Sequence, residues 1–164
     1  MKFICIDPGT NCGWALWDGY TITSGVWDLR VRKDESADFR LVRLRMKLQE
    51  LPTVDLLFFE TAGFNRFPKA AQVAGQIEAV MLLWANDRKV AYKTVKPSEL
   101  KKFATGKGRA GKPQMVAAAR ELTGYLGCSD DEADARLVMA WAIQRYGSKT
   151  EEDYFRVLSQ TKEV

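Results

Sequence analysis

The sequence predicts an α/β fold, in which one mixed sheet of five strands carries helices on both faces. The first observation is a short apolar run, Phe3–Asp7, followed by two strand-like stretches that turn residues separate. The second is the nearly all-apolar stretch 54–60, which is typical of a strand covered on both faces. The third is the alternation of helical and strand patterns after residue 37, which predicts βα units beside an initial meander.

The initial meander is predicted over residues 3–27. Its first strand ends at an Asp-Pro-Gly turn, and Asn11-Cys12-Gly13 is a second turn signal. Two further strands are predicted at 14–17 and 20–27, with Asp18-Gly19 between them. Because short turns join the three strands, we expect them to pair antiparallel.

The rest of the sequence is mostly helical in pattern. Apolar residues recur at helical spacing, and proline suits the first helical position at 97 and 113. Helices are predicted at 37–51, 72–84, 97–104, 113–123 and 130–146. One more strand is predicted at 90–95, and the segment 61–68 is predicted to be a loop.

The composition limits the chemistry that the protein can perform. The 164 residues suit one domain, with 1–147 expected as the folded unit and 148–164 as a polar C-terminal tail. Histidine is absent, which excludes His-based acid–base catalysis and histidine-containing zinc sites. The three cysteines form no CxxC pair and are interpreted as thiols in a reducing compartment. Without a signal-peptide pattern or a membrane-length apolar run, the protein is expected to be cytoplasmic, with no membrane partner.

Four carboxylates are the candidate metal ligands. Asp7 and Glu60 each end an apolar strand, so a rigid backbone would hold both at the rim of the sheet. Asp131 and Asp134 are three residues apart on the last predicted helix and share the face expected to pack on the sheet. Clustered oxygen ligands suit Mg²⁺ or Mn²⁺, and two such ions about 3.5–4 Å apart can hydrolyse a phosphodiester. Taken singly, each has a simpler interpretation as a turn residue, a strand-end charge or an acidic helix start.

Two stretches are candidate nucleic-acid surfaces in a chain with a net charge of +4. A Gly-rich segment provides flexible positive charge for phosphate contacts through Lys101, Lys102, Lys107, Arg109 and Lys112. It contains no GxxxxGK[ST] motif, so no nucleotide cofactor is expected. A second stretch interleaves aromatic and basic residues that could stack on unpaired bases, namely Phe64, Arg66, Phe67 and Lys69. Taken alone, the basic stretch could also be an ordinary solvated loop. The aromatic stretch could also be part of the local core.

Five short motifs follow one another between residues 1 and 146. They are Asp7-Pro8-Gly9 with Gly13, Phe58-Phe59-Glu60, Gly75-Gln76, Lys112 with Gln114-Met115, and Asp131-x-Ala133-Asp134-Ala135. The ordered set resembles the RuvC-type Holliday junction resolvases, which are crossover junction endodeoxyribonucleases.

The resemblance implies an RNase H-like fold and a metal-dependent, structure-selective endonuclease. Enzymes of that family are homodimers that make paired nicks in opposing strands of a four-way DNA junction. By position, the metal ligands would be Asp7, Glu60, Asp131 and Asp134, holding two Mg²⁺ ions with Mn²⁺ as a substitute. Lys112 would contact the scissile phosphate, assisted by Lys107 and Arg109. The small and apolar residues of helix 72–84 could form the dimer face.

The chain departs from the family pattern after Glu60. The aromatic residue that often lies three positions further on is Gly63 here, with Phe64 and Phe67 as the nearby candidates for stacking at a junction centre. Because the segments between motifs differ from the typical bacterial enzyme, a phage or prophage origin is expected. Three alternatives stay open: an RNase H-like nuclease acting on RNA or other structured nucleic acid, an actin-like-fold phosphotransferase, and a non-catalytic DNA-binding protein.

Overall fold

Five strands and five helices form within residues 1–61 and 68–147, the part of the chain that the computed structural model describes. The strands are β1 (Phe3–Asp7), β2 (Asn11–Trp17), β3 (Ile22–Asp28), β4 (Leu56–Glu60) and β5 (Ala91–Val95). The helices are α1 (Phe39–Gln49), α2 (Pro68–Arg88), α3 (Pro97–Thr105), α4 (Lys112–Thr123) and α5 (Asp130–Tyr146). The expected tail 148–164 lies outside the described residues.

The strands form one mixed sheet in the order β3-β2-β1-β4-β5. β1, β2 and β3 pair antiparallel, whereas β1, β4 and β5 run parallel to one another. The carboxyl ends of the three parallel strands therefore meet at one edge, which we call the carboxyl edge of the sheet. This arrangement confirms the predicted mixed sheet of five strands.

Helices cover both faces of this sheet, as the sequence predicts. Alternate residues of a strand point to opposite faces. Phe3 and Cys5 of β1 belong to a core cluster with α3, α4 and α5, whereas Ile4 and Ile6 belong to a second cluster with α1 and α2. Both clusters are made of buried apolar side chains, so each face of the sheet has its own core. Within the described residues, none of the helices has the length and apolar character needed to cross a bilayer.

The structure corrects the boundaries of several predicted elements: β4 begins at 56 and not at 54, α1 spans 39–49 and not 37–51, and β2, β3 and α2 differ as follows. β2 begins at Asn11 and not at 14, because the residues interpreted as a turn pair on both sides, with Gly13 opposite Asp7 in β1 and Val26 in β3. β3 begins at Ile22 and not at 20, because the Asp18 carboxylate accepts hydrogen bonds from the main-chain N–H groups of residues 20 and 21 and forms a turn there. α2 begins at 68 and ends at 88, and is longer at both ends than the predicted 72–84. A proline at the first position of α2 costs no helical hydrogen bond.

Candidate active site

Strands β1 and β4 place two carboxylates side by side at the carboxyl edge. Ile6 of β1 is paired in register with Phe59 of parallel β4, so Asp7 and Glu60 follow at the next position of each strand. Both carboxylates share the face of the sheet on which α5 packs. On that face Cys5 Sγ lies 3.7 Å from Met139 Sδ of α5, and the Phe58 ring packs edge-on against Trp141.

Helix α5 brings Asp131 and Asp134 to the same place. Its packing face is formed by Ala135, Val138 and Ala142, which are all fully buried against the sheet. The helix begins where the Ser129 hydroxyl accepts a hydrogen bond from the N–H of Glu132, an N-cap that satisfies one of the free donors of the first turn. The apolar face then turns Asp134, one turn further on, toward the carboxyl edge.

Asp7 lies near enough to Glu60, Asp131 and Asp134 for their charges to raise its pKa. Burial, followed by the charges of Asp134, Glu60 and Asp131, raises the pKa of Asp7 well above its ordinary value. Burial and the charge of Asp134 raise the pKa of Glu60 to about 7. Burial, with the charges of Asp130 and Asp131, raises the pKa of Asp134 to about 6, and burial also raises that of Asp131. The structure therefore brings together all four of the predicted acidic residues, which we call the acidic cluster.

The acidic cluster fits a divalent cation in its donor chemistry. Within residues 1–61 and 68–147, one carboxylate oxygen of Asp134, Oδ1, is buried without a hydrogen-bond partner, a cost that a bound cation would offset. All of the cluster's ligands are oxygens, as Mg²⁺ and Mn²⁺ prefer. Among residues 1–61 and 68–147, however, no three acidic or cysteine side chains are already gathered into a coordination shell. A cation would therefore have to draw the mutually repelling carboxylates inward.

Two lysines neighbour the acidic cluster in different ways. Lys112, at the start of α4, makes a salt bridge and hydrogen bond with Asp130, which raises the pKa of the lysine and lowers that of the aspartate. Asp130 is therefore paired with Lys112, while its charge still acts on Asp131 and Asp134. Lys101 of α3 is half-buried and its charge lowers the pKa of both Glu60 and Asp134. From the sequence, Lys101 was predicted only to contact DNA.

The remaining basic residues of the predicted surface that the structure describes are exposed. Lys102, Lys107 and Arg109 lie on or after the end of α3, where Gly106 adopts a left-handed conformation (φ 72°) that ends the helix. Lys69 is exposed in the first turn of α2 and lines a cavity of about 390 Å³ beside residues 8–10, directly after Asp7. The other three predicted contacts, Phe64, Arg66 and Phe67, lie outside the described residues.

Gly13 is a site residue whose role the sequence analysis did not identify. It lies opposite Asp7 in the β1–β2 pairing, and the first turn of α5 crosses directly above it. A Cβ atom at this position would lie 1.9 Å from the carbonyl oxygen of Asp131. Only glycine permits this approach, which sets the distance between Asp131 and the strand that carries Asp7. The Asp-Pro-Gly motif indicates only the preceding turn, so the contact of Gly13 with the first turn of α5 was not predicted.

Solved structures with the same fold define the class of the protein. The Thermus thermophilus RuvC structure superimposes with a TM-score of 0.71 at 22% identity, covering 90% of this chain and 98% of that one. The yeast mitochondrial Holliday junction resolvase Ydc2 superimposes with a TM-score of 0.60 at 14% identity, covering 96% of this chain and 85% of that one. The fold is therefore the RNase H-like fold of junction resolvases, as expected.

Sequence relatives identify the family within that class. The crossover junction endodeoxyribonuclease RuvC of Anaeromyxobacter sp. (strain K) is 40% identical over 156 residues, which cover 88% of this chain and 82% of the relative. That of Corynebacterium efficiens is 29% identical over 157 residues, covering 87% of this chain and 67% of the relative. This chain belongs to the RuvC family of crossover junction endodeoxyribonucleases. No model of a protein family matches the sequence. The expected phage or prophage origin finds no support in these comparisons.

Proposed function

We propose that this protein resolves four-way DNA junctions, by divalent-metal-dependent hydrolysis of phosphodiesters in opposing strands. The observation that carries the metal-dependent part is the acidic cluster with the buried, unpartnered Oδ1 of Asp134. Membership of the family supports the substrate, because the relatives are named crossover junction endodeoxyribonucleases. A T. thermophilus RuvC structure of the same fold holds a Holliday junction substrate.

The four acidic residues are held by two kinds of secondary-structure element. Asp7 and Glu60 end buried strands, so their main chain is fixed by the sheet, while Asp131 and Asp134 approach from α5. Together they would hold two Mg²⁺ ions, with Mn²⁺ as a substitute. When bound, such ions generate a nucleophilic hydroxide from water and stabilise the leaving oxygen of the phosphodiester.

The lysines complete the arrangement around the phosphate. Lys112 carries an exposed ammonium at the N-terminus of α4, where the main-chain N–H groups also favour an anion. We infer that an incoming DNA phosphate draws Lys112 away from Asp130. Lys101 partly offsets the negative charge around Glu60 and Asp134, and the exposed Lys102, Lys107 and Arg109 would continue the contact along the DNA backbone. Lys69, beside the turn that follows Asp7, would contact the backbone on the other side.

Paired nicks in opposing strands require two active sites, which a symmetric dimer supplies. Helix α2 presents an exposed row of mostly small or apolar residues that suits this role. Its members are Gln72, Gly75, Gln76, Ala79 and Leu83. Among the described residues, nothing outside the neighbouring helix backbone lies within 4 Å of a Cβ built at Gly75, and Leu83 is 65% exposed, so this face can receive a second copy closely. Ala74, another small residue of the helix predicted to form the dimer face, is half-buried within its own subunit.

The test is cleavage of a synthetic four-way junction with and without Mg²⁺. We expect the wild type to nick the junction in Mg²⁺, and Asp7→Asn to bind the junction without cutting it. Asp34→Asn removes an exposed carboxylate from the loop before α1 and is the matched control, which should cut normally. A flap and an RNA–DNA hybrid are tested in parallel. Normal cutting by Asp7→Asn would contradict the assigned centre, and preference for the hybrid would favour an RNase H-like activity on RNA.

A further inference from the structure

Glu132 follows Asp131 directly, yet its side chain points away from the acidic cluster. The Ser24 hydroxyl of β3 donates a hydrogen bond of 2.6 Å to its Oε1 atom. The Tyr125 hydroxyl, in the connection between α4 and α5, lies 3.4 Å from its Oε2 atom and donates a stronger bond of 2.9 Å to the Ser129 carbonyl. The first turn of α5 is therefore tied to an edge strand and to the segment that precedes the helix.

Arg136, one turn further along α5, completes this network. Its Nη1 atom donates to the Ser24 hydroxyl at 2.8 Å, so this one oxygen joins Arg136 and Glu132. Its Nε and Nη2 atoms donate to the side chain and the carbonyl of Thr123 at 2.9 and 2.7 Å, which ties α5 to the last residue of α4. We call Ser24, Glu132, Arg136, Thr123 and Tyr125 the α5 clamp.

The α5 clamp acts on the segment that carries two of the four acids. Asp131 and Asp134 lie between Ser129 and Arg136 in the sequence. Their side chains belong to the acidic cluster, whereas those of Glu132 and Arg136 belong to the clamp. Negative charge on Asp7 repels both aspartates, and negative charge on Glu60 repels Asp134, so the uncompensated charges oppose a close approach of α5 to the carboxyl edge. Hydrogen bonds to charged groups, such as those of Glu132 and Arg136, are strong enough to oppose such a movement.

We propose that Ser24, Glu132 and Arg136 are positioning residues of the metal centre. They fix the rotation of α5 about its axis, so that Asp131 and Asp134 meet a cation together with Asp7 and Glu60. This inference rests on the proposed function, because the clamp can position metal ligands only if the acidic cluster binds metal. A clamp that merely joins α4, α5 and β3 would affect stability and leave metal affinity unchanged.

The test is the Mn²⁺ affinity of the DNA-free protein, measured by calorimetry or by the paramagnetic resonance of free Mn²⁺. Glu132→Ala and Glu132→Gln remove the same charge, but only Gln keeps an acceptor for Ser24. We expect Glu132→Ala to bind Mn²⁺ about tenfold more weakly than Glu132→Gln, the lower end of the effect of groups that orient ligands. Ser24→Ala, which changes no charge, should weaken binding of the wild type by a similar factor.

Two controls separate positioning from loss of fold. Thr23→Ala removes an exposed hydroxyl from the neighbouring position of β3 and should keep wild-type affinity. All variants are measured at a temperature where circular dichroism shows them to be folded. Equal affinity of Glu132→Ala and Glu132→Gln, with wild-type affinity of Ser24→Ala, would overturn the positioning role alone. If the wild type bound no Mn²⁺, or bound it no better than Asp7→Asn, the proposed metal centre would fail, and the inference with it.

Discussion

At Gly13 the main chain of β2 touches the first turn of α5, because the residue has no side chain to hold them apart. An added Cβ atom would meet the Asp131 carbonyl oxygen at 1.9 Å, well inside van der Waals contact, and its neighbouring carbonyl carbon at 2.5 Å. Both partners are main-chain atoms, so no side-chain rotation can relieve the clash. A residue that has no functional group thus sets where a functional group lies.

We therefore expect Gly13→Ala to push α5 away from β2 and separate Asp131 from Asp7. Overpacking of this kind costs about 1–3 kcal/mol of unfolding free energy. Junction cleavage should fall more steeply than stability, because small displacements of a catalytic group are costly. The measurements are urea unfolding and cleavage of the four-way junction. Leu48→Ala is the stability control, because it removes buried methyl groups from the core on the other face of the sheet and leaves the acidic cluster in place. Wild-type cleavage by Gly13→Ala would contradict this account.

At the scale of elements, local signals were enough wherever a boundary depends on neighbours in sequence. α5 begins at Asp130 and ends at Tyr146, as predicted, because a serine cap and acidic residues open it and Gly147 follows it. Asp7 and Glu60 were predicted to lie at the ends of strands because each follows an apolar run. β2 was predicted too short because its first residues, Asn11 to Gly13, have turn composition and become a strand only through pairing with β1 and β3.

The parts of the site that were not predicted depend on contacts between distant segments. Ser24 and Glu132 are 108 residues apart, and the hydrogen bond between them leaves no spacing pattern in the sequence. The same holds for the half-buried position of Lys101 beside Glu60 and Asp134, because Lys101 belongs by composition to an ordinary basic segment. The sequence therefore predicts candidate groups for the chemistry, while the groups that hold them in place required the fold.

The connection between α3 and α4 provides a prediction about DNA affinity. Each phosphate contact contributes about 0.9 to the slope of log K against log salt concentration on duplex DNA. Replacing the exposed Lys107 and Arg109 together by alanine should therefore lower the magnitude of that slope by about 1.8, if each makes one such contact. Binding is measured with the Asp7→Asn protein so that the junction stays intact. The control replaces Lys33 and Arg45, which are exposed in the α1 region. An unchanged slope would remove the α3–α4 connection from the DNA interface.

For the whole molecule, the proposed dimer is the property that turns one active site into a resolving enzyme. Leu83 is exposed on α2, and Leu83→Arg would bring two like charges close to the symmetry axis. We expect this variant to sediment as a monomer and to release singly nicked junctions in place of resolved duplexes. Leu126→Arg, at a leucine that is 96% exposed outside α2, should keep the wild-type mass. A Leu83→Arg protein that remained dimeric would move the interface to another surface.

The order in which the acidic cluster is assembled along the chain has a consequence for the cell. Asp7 and Glu60 lie in the first two fifths of the sequence, whereas Asp131 and Asp134 lie on α5, which docks on β1 and β2 across nearly the whole length of the chain. A polypeptide still emerging from the ribosome, or cut by a protease before α5, would hold only half of the proposed ligands. The proposed cleavage of DNA would thus begin only after α5 has been synthesised and has docked on the sheet.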